Sequence, residues 1–402
     1  MTRSPLTDRA RSHLLRLCAE IPDRCVGSPG NRAATDFFAD TIASLGFATE
    51  SPAFDCMDWV QQGATLGVGG QSFAAFVSPY SSGCAVRAPF TAIATIRELE
   101  EADVAGQIVV LHGEIAREQL MPKSFTFYNP EEHRRIIRAL ESQQPRAIVA
   151  ATSRNPEMAG ALYPFPLIED GDFDIPSVYM TDEEGRRLVE SVGQTISLEI
   201  RAQRKPAQAC NVVARKGARF DRRVVLFAHV DAKQGTPGAL DNAAGVTTLL
   251  LLAELLGDYI RELGVEIVAL NGEDYYSNPG EMQYLQLNAG RFGNIALGIN
   301  LDGVGYHEGR TAYSLYDCPP NLSEVIQQVF ASRPEFVAGE PWYQGDHGLF
   351  LLNQRPALAL TSDRAYELLS SVVHTAHDRP ELLDVNKLVE TAIALRDILE
   401  RV

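Results

Sequence analysis

Apolar residues run without a break from Val224 to Ala228, give way to His229 and Asp231, and resume as an apolar helix only after a Pro/Gly loop and the pair Asp241 and Asn242. The same change of texture recurs downstream, in VEIVALNGED, ALGINLDGVG and PALALTSD, with helical periodicity in between: a helix from Ala243, another over LSEVIQQVFAS and a closing one from Val385. Continuous apolar strands alternating with helices predict an α/β fold with a mostly parallel, mixed sheet covered on both faces.

Upstream the pattern differs. Residues 5–50 read as an amphipathic helix, the loop CVGSPGN and a second helix over AATDFFADTIASLGF. From 51 to 205, short strand-like pieces such as GQIVVLHGE, RAIVAATS and IPSVYM lie among Gly and Pro, with a helix over EEHRRIIRALES. The expected organisation is a main domain of residues 1–50 and 206–402, interrupted by a smaller α/β domain over 51–205.

Charge narrows the partners. A formal net charge of -16 argues against nucleic acid or an anionic membrane, both of which reward a basic face. The first residues lack a signal-peptide core and no apolar run reaches membrane-spanning length, so the reading is a cytoplasmic protein. Six cysteines without a CxxC pair suggest neither a disulfide framework nor a cysteine metal site.

Ligands in open α/β sheets bind at the carboxyl ends of strands. Here those ends carry His229 and Asp231, Glu273 and Asp274, and Asp302, joined by Asp241 and by His374 in VVHTAHDRP. Buried charges of one sign are costly unless a cation joins them. Two imidazoles and three carboxylates suit zinc or a similar divalent metal. With Asp241 as a bridge, His229 and Asp302 complete one site, and Asp274 and His374 the other. Such a pair activates water and polarises a carbonyl. Glu273, adjacent to a ligand, is the candidate general base, and Asp231 the candidate group that orients His229 through its second ring nitrogen. Asp241 and Asn242 also stand where a helix N-cap is expected.

The segments FAHVDA…PGALDNAAG, ALNGED, GINLDGVG, GDHGLF with RPALALTS, and HTAHD, in that order over 206–402, resemble the di-zinc aminopeptidase family of bacterial secreted aminopeptidases and glutamate carboxypeptidase II, with glutaminyl cyclases as relatives. The lead-in GSPGN also looks like that family, and 51–205 resembles a protease-associated domain. The resemblance implies a three-layer αβα zinc-exopeptidase fold and two zinc ions. It implies His229, Asp241, Asp274, Asp302 and His374 as ligands, Glu273 as base and Asp231 as orienter. Two departures stand out: the family's second glutamate is Asp274, and the tyrosine before the last histidine is Val373, which leaves Tyr275, Tyr306 and Tyr343 as candidate oxyanion donors. His377 competes with His374, and Asp346 and His347 either line the pocket or support it. His13, His112, His133 and His307 read as surface or core residues.

The function expected is release of amino-terminal residues from peptide substrates. The alternative is a carboxypeptidase or deacylase, which needs Arg310, Arg333, Arg355 or Arg364 to hold an anion. A non-catalytic binding homologue is the third reading. The insert is expected to act as a cap on the cleft or as a surface for a homo-oligomer.

Overall fold

In the computed structural model, which describes residues 3–21, 23–154 and 162–402, the chain divides into two compact units, Met1–Cys56 with Ala207–Val402, and Met57–Pro206. In chain order the first unit contains α1 (Arg3–Leu15), α2 (Pro29–Ser44), β1 (Ala48–Glu50), β2 (Val212–Lys216), β3 (Arg219–His229), α3 (Ala244–Leu255), β4 (Leu263–Leu270) and α4 (Pro279–Leu287). There follow β5 (Ile295–Leu301), β6 (Thr311–Tyr316), α5 (Pro320–Ala331), β7 (Phe336–Ala338), α6 (Gly348–Leu352), β8 (Ala357–Ser362), α7 (Ala365–Ser371) and α8 (Val385–Leu399).

Eight strands form one mixed sheet in the order β1-β2-β4-β3-β5-β8-β6-β7. The four central strands, β4, β3, β5 and β8, are parallel, and β2 and β6 join them antiparallel. Side chains alternate along β3. Val224, Leu226 and Ala228 enter a core shared with α1, α2, α3, α5 and α8, while Phe227 stacks on Phe350 of α6 and meets Tyr284 of α4 edge-on on the opposite face. Both faces are thus covered, which is why the central strands are apolar throughout.

Register decides where the polar residues emerge. His229 is level with Leu270, and Phe227 with Asn300, so β3, β4 and β5 end together and release His229, the Asn271–Asp274 segment and Asp302 along one rim. At α3 the backbone is irregular before the helix begins, and the side chain of Asn242 accepts from Gly245 N at 3.0 Å. Asn242 therefore caps the helix, and Asp241 is left for other contacts.

The second unit has its own eight-stranded sheet. Its strands Cys84–Ile93, Ile108–Leu111, Ala147–Thr152 and Ser177–Thr181 run parallel, with antiparallel partners outside them. Alternate residues of Ile108–Leu111 feed two separate apolar clusters, one on each face. Among the described residues no helix of either unit is long and apolar enough to cross a membrane.

Candidate metal centre

Asp241 stands between two imidazoles. Its Oδ1 is 2.9 Å from Nε2 of His229 and its Oδ2 is 3.0 Å from Nε2 of His374. His229 Nε2 also lies 3.8 Å from Asp302 Oδ1, and His374 Nε2 lies 3.0 Å from Asp274 Oδ1. Two donors on one tetrahedral divalent ion, with bonds of about 2.0–2.2 Å, stand roughly 3.4 Å apart. The four separations bracket that value and fall into two groups, one on each side of the Asp241 carboxylate. Asp274, although one methylene shorter than glutamate, reaches its histidine.

The donor set fits a metal on a second ground. His229 is 1% exposed, yet despite the 2.9 Å approach of Asp241 neither ring nitrogen makes a well-aligned hydrogen bond with a described residue, and Oδ2 of Asp274 makes none either. Polar atoms buried in this way normally have partners. A cation among His229, Asp241 and Asp274, whose donor atoms all lie within 4.8 Å of one another, would satisfy them.

The electrostatics show how strongly these groups act on one another. Burial pushes the Asp241 carboxyl up, but the imidazoles of His229 and His374 outweigh it and hold the group well below the usual carboxylate range. Burial would lower His229, but Asp231, Asp241 and Asp302 raise it well above its ordinary value. Glu273 is raised by burial and by the negative charges of Asp274, Asp302 and Asp241, against the pull of His229. These are groups arranged around positive charge.

Asp231 has different work from that expected of it. Its Oδ1 is 3.7 Å from His229 Nδ1, beyond hydrogen-bond range. Its two oxygens instead accept the backbone amides of Gly272 at 2.7 Å and Asp274 at 3.0 Å, which fixes the turn that presents Glu273. Asp378, buried completely, does the same for the other segment by accepting Leu240 N at 2.7 Å and Asp241 N at 3.0 Å.

Of the other sequence candidates, His377 is exposed, and His347 is buried against Trp342 and Tyr316 with Nε2 2.8 Å from Trp342 O. Asp346 is buried and acts electrostatically on Glu281, Glu273 and His229. Tyr306 gives its hydroxyl to Glu308 at 3.2 Å, Tyr343 is exposed, and Tyr275 is buried beside Tyr276. All four arginines are engaged elsewhere. Arg310 faces Asp363, Arg333 pairs with Asp397, and Arg364 with Glu367; Arg355 donates to Ile295 O, at the far end of β5 from Asp302.

Three supporting groups escaped sequence reasoning. Asn31 and Asn271 exchange a reciprocal pair of side-chain hydrogen bonds at 2.9 and 3.0 Å, joining α2 to the segment that carries Glu273 and Asp274. Glu281, whose carboxyl burial pushes up to about 7, lies beside Asp346 and feels the charges of Asp231 and His229. Arg24 grips the loop between His229 and Asp241. The GSPGN motif was a signal for Asn31; nothing in the pattern marked the other two.

Fold and rim together define an α/β protein with a candidate metal centre at the carboxyl ends of its central strands. Residues 211–399 match Peptidase family M28. Over 332 residues the chain is 25% identical to the probable lipoprotein aminopeptidase LpqL of Mycobacterium tuberculosis, covering 79% of this chain and 62% of that protein's length. Among solved structures, the aminopeptidase from Aneurinibacillus sp. strain AM-1 superposes with a TM-score of 0.75 at 18% identity, over 98% of this chain and 93% of the other. BSAP, a zinc aminopeptidase from Bacillus subtilis, does so with a TM-score of 0.74 at 17% identity, over 98% and 94%. At these identities the two structures establish the fold.

Proposed function

We propose that the chain is a metal-dependent aminopeptidase. Two zinc ions would be held by His229 and Asp302 on one side and by Asp274 and His374 on the other, with Asp241 spanning them. Bound there, the ions would polarise the peptide carbonyl and supply an activated water. The protein's own part is proton movement and positioning. Glu273 takes the water's proton and hands it to the departing amine, Asp231 holds the Glu273 turn through two backbone amides, and Asp378 holds Asp241 in the same way.

The observation that carries the reading is the Asp241 carboxylate, whose two oxygens each meet a different imidazole at 2.9 and 3.0 Å. The choice of the amino end of the substrate is supported by the names of all three relatives reported above. It is also supported by the arginines: each one a carboxypeptidase would recruit already has a partner. Residues 51–205 are proposed as a protease-associated-like insert, on their mixed sheet. Six cysteines with no disulfide among the described residues fit a reducing compartment, which favours the cytoplasm.

The test is a panel of peptides with a free amine, a blocked amine or a blocked carboxyl, assayed with zinc. Cleavage of free-amine and carboxyl-blocked peptides, with release of the first residue, is expected. Cleavage confined to amine-blocked peptides would refute an aminopeptidase.

A further inference from the structure

Arg24 is 3% exposed, and among the described residues its guanidinium donates to no carboxylate. All four of its bonds go to backbone carbonyls: Nε to Val230 O at 3.0 Å, Nη1 to Leu17 O and Pro237 O at 2.8 Å each, and Nη2 to Gly238 O at 2.8 Å. Charged side chains are rarely buried without an opposite charge nearby; Asp378 is near enough to feel the guanidinium, yet the hydrogen bonds go to carbonyls of the loop backbone instead. Val230 is the residue after His229, and Pro237 and Gly238 lie just before Asp241. One planar group therefore ties together the two ends of the loop whose flanks carry His229 and Asp241.

The grip is close and two-sided. A side chain at Gly238, where φ is +59°, would put its Cβ 2.6 Å from Nη2 of Arg24. From the other side Asp378 takes the amides of Leu240 and Asp241, and its own carbonyl accepts Ala239 N at 3.2 Å. Carbonyls are thus held by a cation and amides by an anion over residues 237–241. Arg24 is itself anchored, since its carbonyl accepts Asn31 Nδ2 at 3.0 Å and Asn31 is bonded to Asn271.

We infer that Arg24 is a positioning residue for the metal centre, a brace whose forked guanidinium sets the separation of His229 and Asp241 before any metal binds. The inference rests on the reading of those two residues as ligands. A ligand set held in place by its supports binds metal without first having to order a loop. Only a planar fork reaches carbonyls on both sides of the loop at once; an ammonium at the end of a lysine is a single point with a different reach.

The test uses the full chain as wild type, Arg24→Lys, Arg24→Met and Gly238→Ala. Zinc affinity is measured by competition with a chromophoric chelator, alongside melting of the metal-free proteins and kcat and KM at saturating zinc. In Arg24→Lys and Gly238→Ala, zinc affinity per folded molecule is expected to fall at least tenfold, and kcat to fall while KM changes less than twofold. Arg24→Met should do the same, and if it does not fold the other two carry the test. Variants that melt lower but bind zinc as tightly as wild type, with unchanged kcat, overturn the brace alone and leave Arg24 a stabilising residue. A wild-type chain that binds no zinc overturns the metal reading, and the brace with it.

Discussion

The carboxylate of Asp231 holds the backbone amide of Asp274 at 3.0 Å, and with its other oxygen that of Gly272 at 2.7 Å. The end of β3 is thereby fastened to the turn after β4, so that Glu273 is presented by a segment with little freedom. Asp231→Asn replaces one acceptor oxygen with an amide that donates, facing an N–H. Hydrogen bonds to charged groups contribute about 1.5–3 kcal/mol each, and a loss in that range is expected in urea unfolding, with a drop in kcat. Wild-type stability together with wild-type kcat would show that the turn holds without it.

Glu273 differs from its neighbours in role. It shares the charge field of Asp274, Asp302 and Asp241 but is not needed to complete either three-donor set. Glu273→Gln should therefore keep two zinc ions per chain by elemental analysis while kcat falls by roughly 10²–10⁴, the contribution of a positioned general base. Retained activity would remove the base assignment; lost metal would turn Glu273 into a ligand.

Asp241 should behave in the opposite way. Each of its oxygens faces a different imidazole, so Asp241→Asn, which has one good acceptor, should lower zinc content below two per chain and reduce hydrolysis in proportion to the loss of the second ion. Chelation of the wild type should abolish hydrolysis, and added zinc restore it. A variant with full zinc content would show that the carboxylate bridges nothing.

These expectations trace back to features legible along the chain to different degrees. The central strands announced themselves because burial on both faces makes VVLFA and its counterparts apolar without alternation, and the rim residues because polarity returns abruptly where each strand ends. The antiparallel strands β2 and β6 were not legible: they are short and part-buried, and VVARK and TAYSLY carry no pattern strong enough to separate them from their surroundings. Asn242 rather than Asp241 caps α3, a choice between neighbours that composition cannot make. Arg24 was invisible for a simpler reason. Its partners are carbonyls, which every residue has, so no second residue type in the sequence betrays the contact.

The last prediction concerns stability away from the rim. His13 on α1 packs against Phe37 with ring centroids 5.6 Å apart, and burial, with a smaller push from Arg9, lowers its pKa from 6.5 to about 4. The folded chain therefore keeps this imidazole neutral over a range in which the unfolded chain protonates it. Where the unfolded state binds more protons, stability rises with pH. The contribution of His13 is accordingly complete above pH 6.5, is lost progressively as pH falls from there towards 4, and changes no further below. Carboxylates titrate in the lower part of this window, so the readout is the difference between wild type and His13→Gln in urea unfolding from pH 7.5 to 4.5. Wild type should lose more stability than the variant between pH 6.5 and 5. Parallel curves over that interval would mean that His13 titrates normally in the folded chain and that α1 does not seal it from water.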